Sequence, residues 1–140
     1  MRGSSPDYRL IPPPSKQTGS LMEPNRATPN LTATDLGASL EFYVDVLGFE
    51  LKMNLGWIAT VGSPSHPHVL LSLLTEDITA PVVPDVSIGV DDVDAAYEAV
   101  VAAGAEIVHP LTDEEWGVRR FFLRDPGGRV VNVLQHIAAE

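Results

Sequence analysis

The feature that most constrains the fold is that the chain runs through one pattern twice. Asp35 precedes a stripe of Leu36, Leu40, Tyr43, Val44 and Leu47 at three- and four-residue steps, and Gly48 stands where a left-handed residue ends a helix. Asp91 and Asp92 precede a second stripe of Val93, Ala96, Tyr97, Val100 and Ala103, closed by Gly104. Setting Asp35 on Asp91 also sets Gly48 on Gly104 and Glu50 on Glu106, an offset of 56 residues. One short strand-like segment precedes each helix, at residues 30–34 and 86–90, where the alternation of polar and apolar residues is that of a half-buried strand. Three follow each: 49–53, 57–61 and 68–74 in the first half; 105–108, 118–124 and 130–136 in the second. Gly56, Gly62-Ser63-Pro64-Ser65 and Asp125-Pro126-Gly127-Gly128 supply turns between them. The order predicts an α+β fold of two βαβββ modules, at about residues 28–76 and 84–137. One module alone leaves one sheet face open. Two side by side predict a curled eight-stranded mixed sheet around a groove, where small-molecule sites commonly form.

The length of 140 residues suits one domain, since domains most often hold roughly 100–150. Residues 1–27 carry five prolines and scattered Ser and Gly, and read as a disordered leader or a vector-derived segment with the natural start at Met22. The domain proper is then 28–140. No apolar run approaches the roughly 20 residues that span a bilayer, and the N-terminus has no apolar signal segment, so a cytoplasmic protein without a membrane partner is expected. With no cysteine, disulfides and thiolate chemistry are excluded, and any metal would need His, Asp or Glu. Nine Lys and Arg face nineteen Asp and Glu, a net charge of −10 that repels phosphate backbones and argues against nucleic acid. It would attract a cationic small molecule.

Thr34-Asp35-Leu36, Ser39-Leu40-Glu41-Phe42-Tyr43 and Leu47-Gly48-Phe49 together resemble the first-helix signature of the glyoxalase, bleomycin-resistance and extradiol-dioxygenase superfamily (the vicinal oxygen chelate proteins). Val90-Asp91-Asp92-Val93-Asp94-Ala95-Ala96, Ala103-Gly104-Ala105 and Asp125-Pro126-Gly127-Gly128 before Val131-Asn132-Val133 repeat the likeness, which covers roughly residues 28–137. Residues 29–35, Glu115-Trp116-Gly117 and Leu123-Arg124-Asp125-Pro126 resemble the bleomycin-resistance branch most. That likeness implies a homodimer whose grooves sequester bulky cationic glycopeptide antibiotics, without metal and without chemistry.

Metal-dependent members of the superfamily hold a divalent ion with one side chain each from the first, fourth, fifth and eighth strands, mostly His and Glu. The matched positions here are Thr28, Ser72, Asp85 and Asn132, of which only Asp85 is a competent ligand. A degenerate site, holding neither metal nor another cofactor, is expected. Alternation places Asn30, Thr32, Ser72, Ser87 and Asn132 on the concave face, together with Val130, Leu134 and His136, while Val131 and Val133 face the helix. Such a neutral lining suits a polar ligand, or its groups satisfy one another and ordered water.

Trp116 is the best candidate for ligand contact, since an indole beside Asp113-Glu114-Glu115 suits a flat cation. Packing beneath the loop is the competing fate. Arg120 could reach an anionic group or Glu115, and Met53 and Trp57 could line the groove or pack in the core. His66 and His68 read as a solvated turn, and His109 and His136 as structural. The expected function is metal-independent binding of a small molecule, with antibiotic sequestration as one form of it. The alternative is a metal-dependent lyase, isomerase or dioxygenase-like enzyme.

Overall fold

The computed structural model describes residues 23–137. Most of the expected leader lies outside these residues, but its last part, from Pro24, is strand. The first module comprises β1 (Pro24–Thr32), α1 (Leu36–Glu41) continuing into a π-helical turn (Phe42–Val46), β2 (Glu50–Asn54), β3 (Ile58–Gly62) and β4 (Leu70–Leu74). The second repeats the order with β5 (Val86–Val90), α2 (Val93–Ala102), β6 (Glu106–Glu114), β7 (Val118–Arg124) and β8 (Val130–His136).

The eight strands form one mixed sheet in the order β2-β3-β4-β1-β5-β8-β7-β6, not closed into a barrel. In each module the first strand runs parallel to the last, and β1 and β5 join the halves as antiparallel neighbours. Four central strands therefore bring one concave row into register: Asn30 opposite Ser72, Thr28 opposite Ser87, and Ser87 opposite Asn132.

Both helices begin on an aspartate. Asp35 accepts the amide of Ala38 and Asp92 that of Ala95, each at 3.0 Å. Both end at a glycine with φ of 82°, Gly48 and Gly104. Cap and glycine lie one residue further apart in the first module than in the second. The surplus residue is taken up by the π turn, in which Leu47 N bonds Phe42 O; beyond it, past Gly48, Phe49 N closes the helix end on Tyr43 O.

The second module has the better core. Val90, Val93, Ala96, Phe121 and Val133 are buried between α2 and its half-sheet, and Tyr97 meets Phe121 edge-on at 5.0 Å. In contrast, α1 buries none of its residues. No helix among the described residues is long and apolar enough to cross a membrane.

Candidate functional site

A cavity of about 420 Å³ opens on the concave face where the two half-sheets meet, within the range of small-molecule pockets. Strand alternation builds its floor. Thr28 and Asn30 from β1, Thr60 from β3, Ser72 from β4, Ser87 from β5 and Asn132 from β8 all line it. Thr60 and Ser72 hydroxyls bond at 3.0 Å. The Ser87 hydroxyl accepts two amide N–H groups, from Asn30 Nδ2 and from Asn132 Nδ2, both at 2.9 Å. The carbonyl Oδ1 of Asn132 is buried and has no partner among the described residues, a cost of about 1–3 kcal/mol if it stays unmet.

The walls are apolar and aromatic. Met53, Trp57, Ile58, Leu70 and Leu74 come from the first module, and Trp116, Val118 and Leu134 from the second. Trp57 and Trp116 meet edge-on across the modules at 5.2 Å between ring centroids. Trp116 is held from behind by Arg120, whose guanidinium carbon lies 5.0 Å from its ring, with Phe122 at 4.8 Å from the same carbon.

Arg120 is only 4% exposed and is the centre of a buried ionic cluster. It donates in bidentate fashion to Asp77 at 2.8 and 2.9 Å, to Glu114 Oε2 at 2.7 Å and to Thr79 at 2.8 Å. His109 Nε2 donates to the same Glu114 oxygen at 3.1 Å. Asp77 and Thr79 lie between the modules, so the cluster ties that connection to β7 beneath the cavity wall.

At the mouth, Arg26 donates to His136 Nε2 at 2.7 Å. A ring nitrogen that accepts is unprotonated, and burial, followed by the charge of Arg26, lowers the His136 pKa. Arg26 pairs with Gly89 across β1 and β5, and Gly89 and Leu134 are partners across β5 and β8. A Cβ on Gly89 would stand only 2.7 Å from Asn25 Oδ1, so the bare backbone here makes room for the Asn25 side chain, and Arg26 Nε at 3.8 Å would be in ordinary contact.

Three expectations need correction. Asp85 does not face the cavity. It stands just ahead of β5, is exposed, and its carboxylate accepts the Val130 amide at 2.9 Å; the concave position on this strand is Ser87. Thr32 is exposed and lies beyond the lining, because β1 starts at Pro24 and its cavity residues are Arg26, Thr28 and Asn30. The acidic run beside Trp116 is also turned elsewhere. Asp113 and Asp94 hold Arg119 and raise its pKa; Glu114 is spent on Arg120 and His109; and Glu115 is exposed and off the wall. The carboxylates expected to attract a cation are thus absent from the lining, where Asp77 is the one carboxylate and already engages Arg120. His66, bonded to Ser63 and Ser65 in its turn, and His68 are exposed.

The floor does not fit a transition metal. Thr28, Ser72, Ser87 and Asn132 offer neutral hydroxyl and amide oxygens, and no group of three or more His, Cys, Asp or Glu converges anywhere among the described residues. Sequence reasoning missed Arg26, Asp77 and Thr60 in the cavity lining. The prolines around Arg26 masked its strand, and nothing local ties Asp77 to an arginine 43 residues away.

Residues 25–133 match the family model described as "Glyoxalase/Bleomycin resistance protein/Dioxygenase superfamily". No curated protein sequence matches the chain. Among solved structures, a superfamily member from Vibrio splendidus 12B01 is 24% identical over 79% of this chain and 97% of that one, with a TM-score of 0.59. Methylmalonyl-CoA epimerase from Mycobacterium tuberculosis is 17% identical, covering 89% and 95%, with a TM-score of 0.58. A variant of homoprotocatechuate 2,3-dioxygenase from Brevibacterium fuscum is 22% identical over 89% of this chain but 36% of its own, with a TM-score of 0.64. At these identities the likeness is one of fold.

Proposed function

The chain belongs to the glyoxalase/bleomycin resistance protein/dioxygenase superfamily, and from that premise we propose that it is a metal-independent small-molecule-binding protein of the cytoplasm. The observation that supports this reading best is the cavity floor. Strand register gathers Thr28, Ser72, Ser87 and Asn132 where divalent-ion ligands would have to converge, and none of the four is a strong ligand. Around that floor, Trp57 and Trp116 give apolar walls, a combination that retains flat, partly polar molecules by burial and stacking. The protein holds its ligand without transforming it, the role by which sequestration confers resistance to an antibiotic. The alternative, a metal-dependent lyase, isomerase or dioxygenase-like enzyme, would need ligands that the floor does not supply.

The test has two parts. Elemental analysis after dialysis against zinc, nickel, manganese and iron should find no stoichiometric metal; about one ion per chain overturns metal independence. Fluorescence titration with flat aromatic compounds should show quenching, and Trp116→Ala should weaken binding by roughly 1–3 kcal/mol. Because Trp57 also reports, calorimetry on the same variant separates lost signal from lost affinity.

A further inference from the structure

The chain carries a net charge of −10, yet the charge left uncompensated in its cavity is positive. Arg120 and Asp77 neutralise one another in the wall, with Glu114 behind them. Lys52 is tied to Glu50 at an exposed edge. Arg26 alone of the lining cations pairs with a neutral group, the accepting nitrogen of His136, and has no carboxylate partner among the described residues. Held on one side by an uncharged ring, it keeps its other N–H groups for a further acceptor.

The floor points the same way. A serine hydroxyl has two lone pairs and one proton. Both acceptor sites of Ser87 are occupied by the amides of Asn30 and Asn132, so its O–H remains to donate, and it makes no bond to an acceptor among the described residues. Two N–H groups donating to that oxygen strengthen the O–H as a donor. Asn132, 5% exposed and with an unpartnered amide oxygen, likewise leaves the hydrogen bonding of this floor incomplete among the described residues. Arg26 lies two residues along β1 from Thr28, the partner of Ser87, so the two donors stand roughly 7 Å or more apart along the strands.

Resting on the binding reading above, we propose that the cavity selects planar aromatic anions: the anionic group at Arg26, an acceptor oxygen on Ser87 Oγ–H, and the ring between Trp57 and Trp116. A cation meets no available carboxylate there.

Three probes of one shape isolate the charge: 1-naphthoate, 1-naphthamide and 1-naphthylmethylammonium, each titrated by tryptophan fluorescence and calorimetry at about 0.1 M salt. Naphthoate should bind at least about tenfold tighter than the amide, and the ammonium compound most weakly. Arg26→Gln should reduce naphthoate affinity about tenfold and leave the amide unchanged, while Ser87→Ala should weaken acid and amide alike. Thermal melts confirm that each variant is folded; if Arg26→Gln is not, Arg26→Lys, which keeps the charge, should still bind naphthoate ahead of the amide, and equal binding of acid and amide by the wild type overturns the selectivity. An ammonium compound bound as tightly as the acid overturns the anion selectivity and leaves small-molecule binding standing. No binding of any probe overturns both readings.

Discussion

Arg120 is a full charge inside the protein, and its surroundings decide which substitution does most harm. Around it lie Asp77, with a side chain 1% exposed, and Glu114 at 4%. Removing Asp77 leaves Arg120 balanced by Glu114. Removing Arg120 leaves two buried carboxylates with one histidine N–H between them. Breaking a buried pair costs about 3–5 kcal/mol, so Arg120→Met should lower stability by at least that range and Asp77→Asn by less. Chemical denaturation of both variants measures the order; the reverse order would show that Asp77 anchors the inter-module connection chiefly through packing. His136 gives a pH-dependent term of the opposite kind from an ion pair. Its folded pKa lies below the ordinary 6.5 because burial and then Arg26 disfavour the cation. Below that value the unfolded chain binds a proton that the folded chain refuses, so this term lowers stability as pH falls through 6.5 and vanishes above it. Melting temperatures of wild type and His136→Gln should therefore converge with falling pH between about pH 8 and about pH 5. A constant difference would mean that His136 does not titrate within the fold.

At the scale of elements, sequence and structure agree wherever a local signal and the packing serve the same purpose. The β5, β7 and β8 expectations match the observed strands, and both helices start and stop at the capping aspartates and the glycines that mark them in the sequence. The difficulties lie where a local signal opposes the tertiary fit. Pro24 belongs to the proline-rich stretch that reads as a leader, and alternation placed the first strand at residues 30–34, whereas β1 runs Pro24–Thr32 with Pro29 inside it. Pro24 is the first residue of the strand, set off by a register shift before Arg26, and the ladder explains the tolerance of Pro29. Asn30 donates to Asp85 O, so β5 takes its bonds at even-numbered positions, and the nitrogen of Pro29 faces β4, whose pairing begins only at Asn30. The π turn was equally invisible, because a surplus residue in an amphipathic stripe leaves the three- and four-residue steps intact. The floor residues Ser72, Ser87 and Asn132 were legible from the superfamily resemblance and strand alternation together. The cluster behind Trp116 was not, since a charged pair joined across 43 residues depends on topology rather than on any neighbour in sequence.

At the scale of the whole molecule the two modules share one topology but bury different amounts of it. In the second, α2 sinks Val93 and Ala96 into a core with Phe121. In the first, Phe42, Val46 and Leu47 at the end of α1 are 50%, 67% and 53% exposed, and every residue of β2, including Leu51, is exposed. Compact monomers rarely leave apolar patches beyond a few hundred Å² open to water. β2 is in addition an edge strand with unpaired backbone groups. A homodimer formed through the first module would cover this surface, and β6, the opposite edge, would stay outside it. Light scattering at micromolar concentration should then give about twice the chain mass of 15.1 kDa. Val46→Glu, which sets a carboxylate in the middle of the patch, should halve that mass and leave the far-ultraviolet circular dichroism unchanged, because Val46 contributes no buried packing to its own chain. A wild-type monomer at this concentration, or a Val46→Glu protein of undiminished mass, would place the contact elsewhere. The cavity is lined from both modules of one chain, so the monomeric variant should bind naphthoate as tightly as the dimer, separating the assembly from the site.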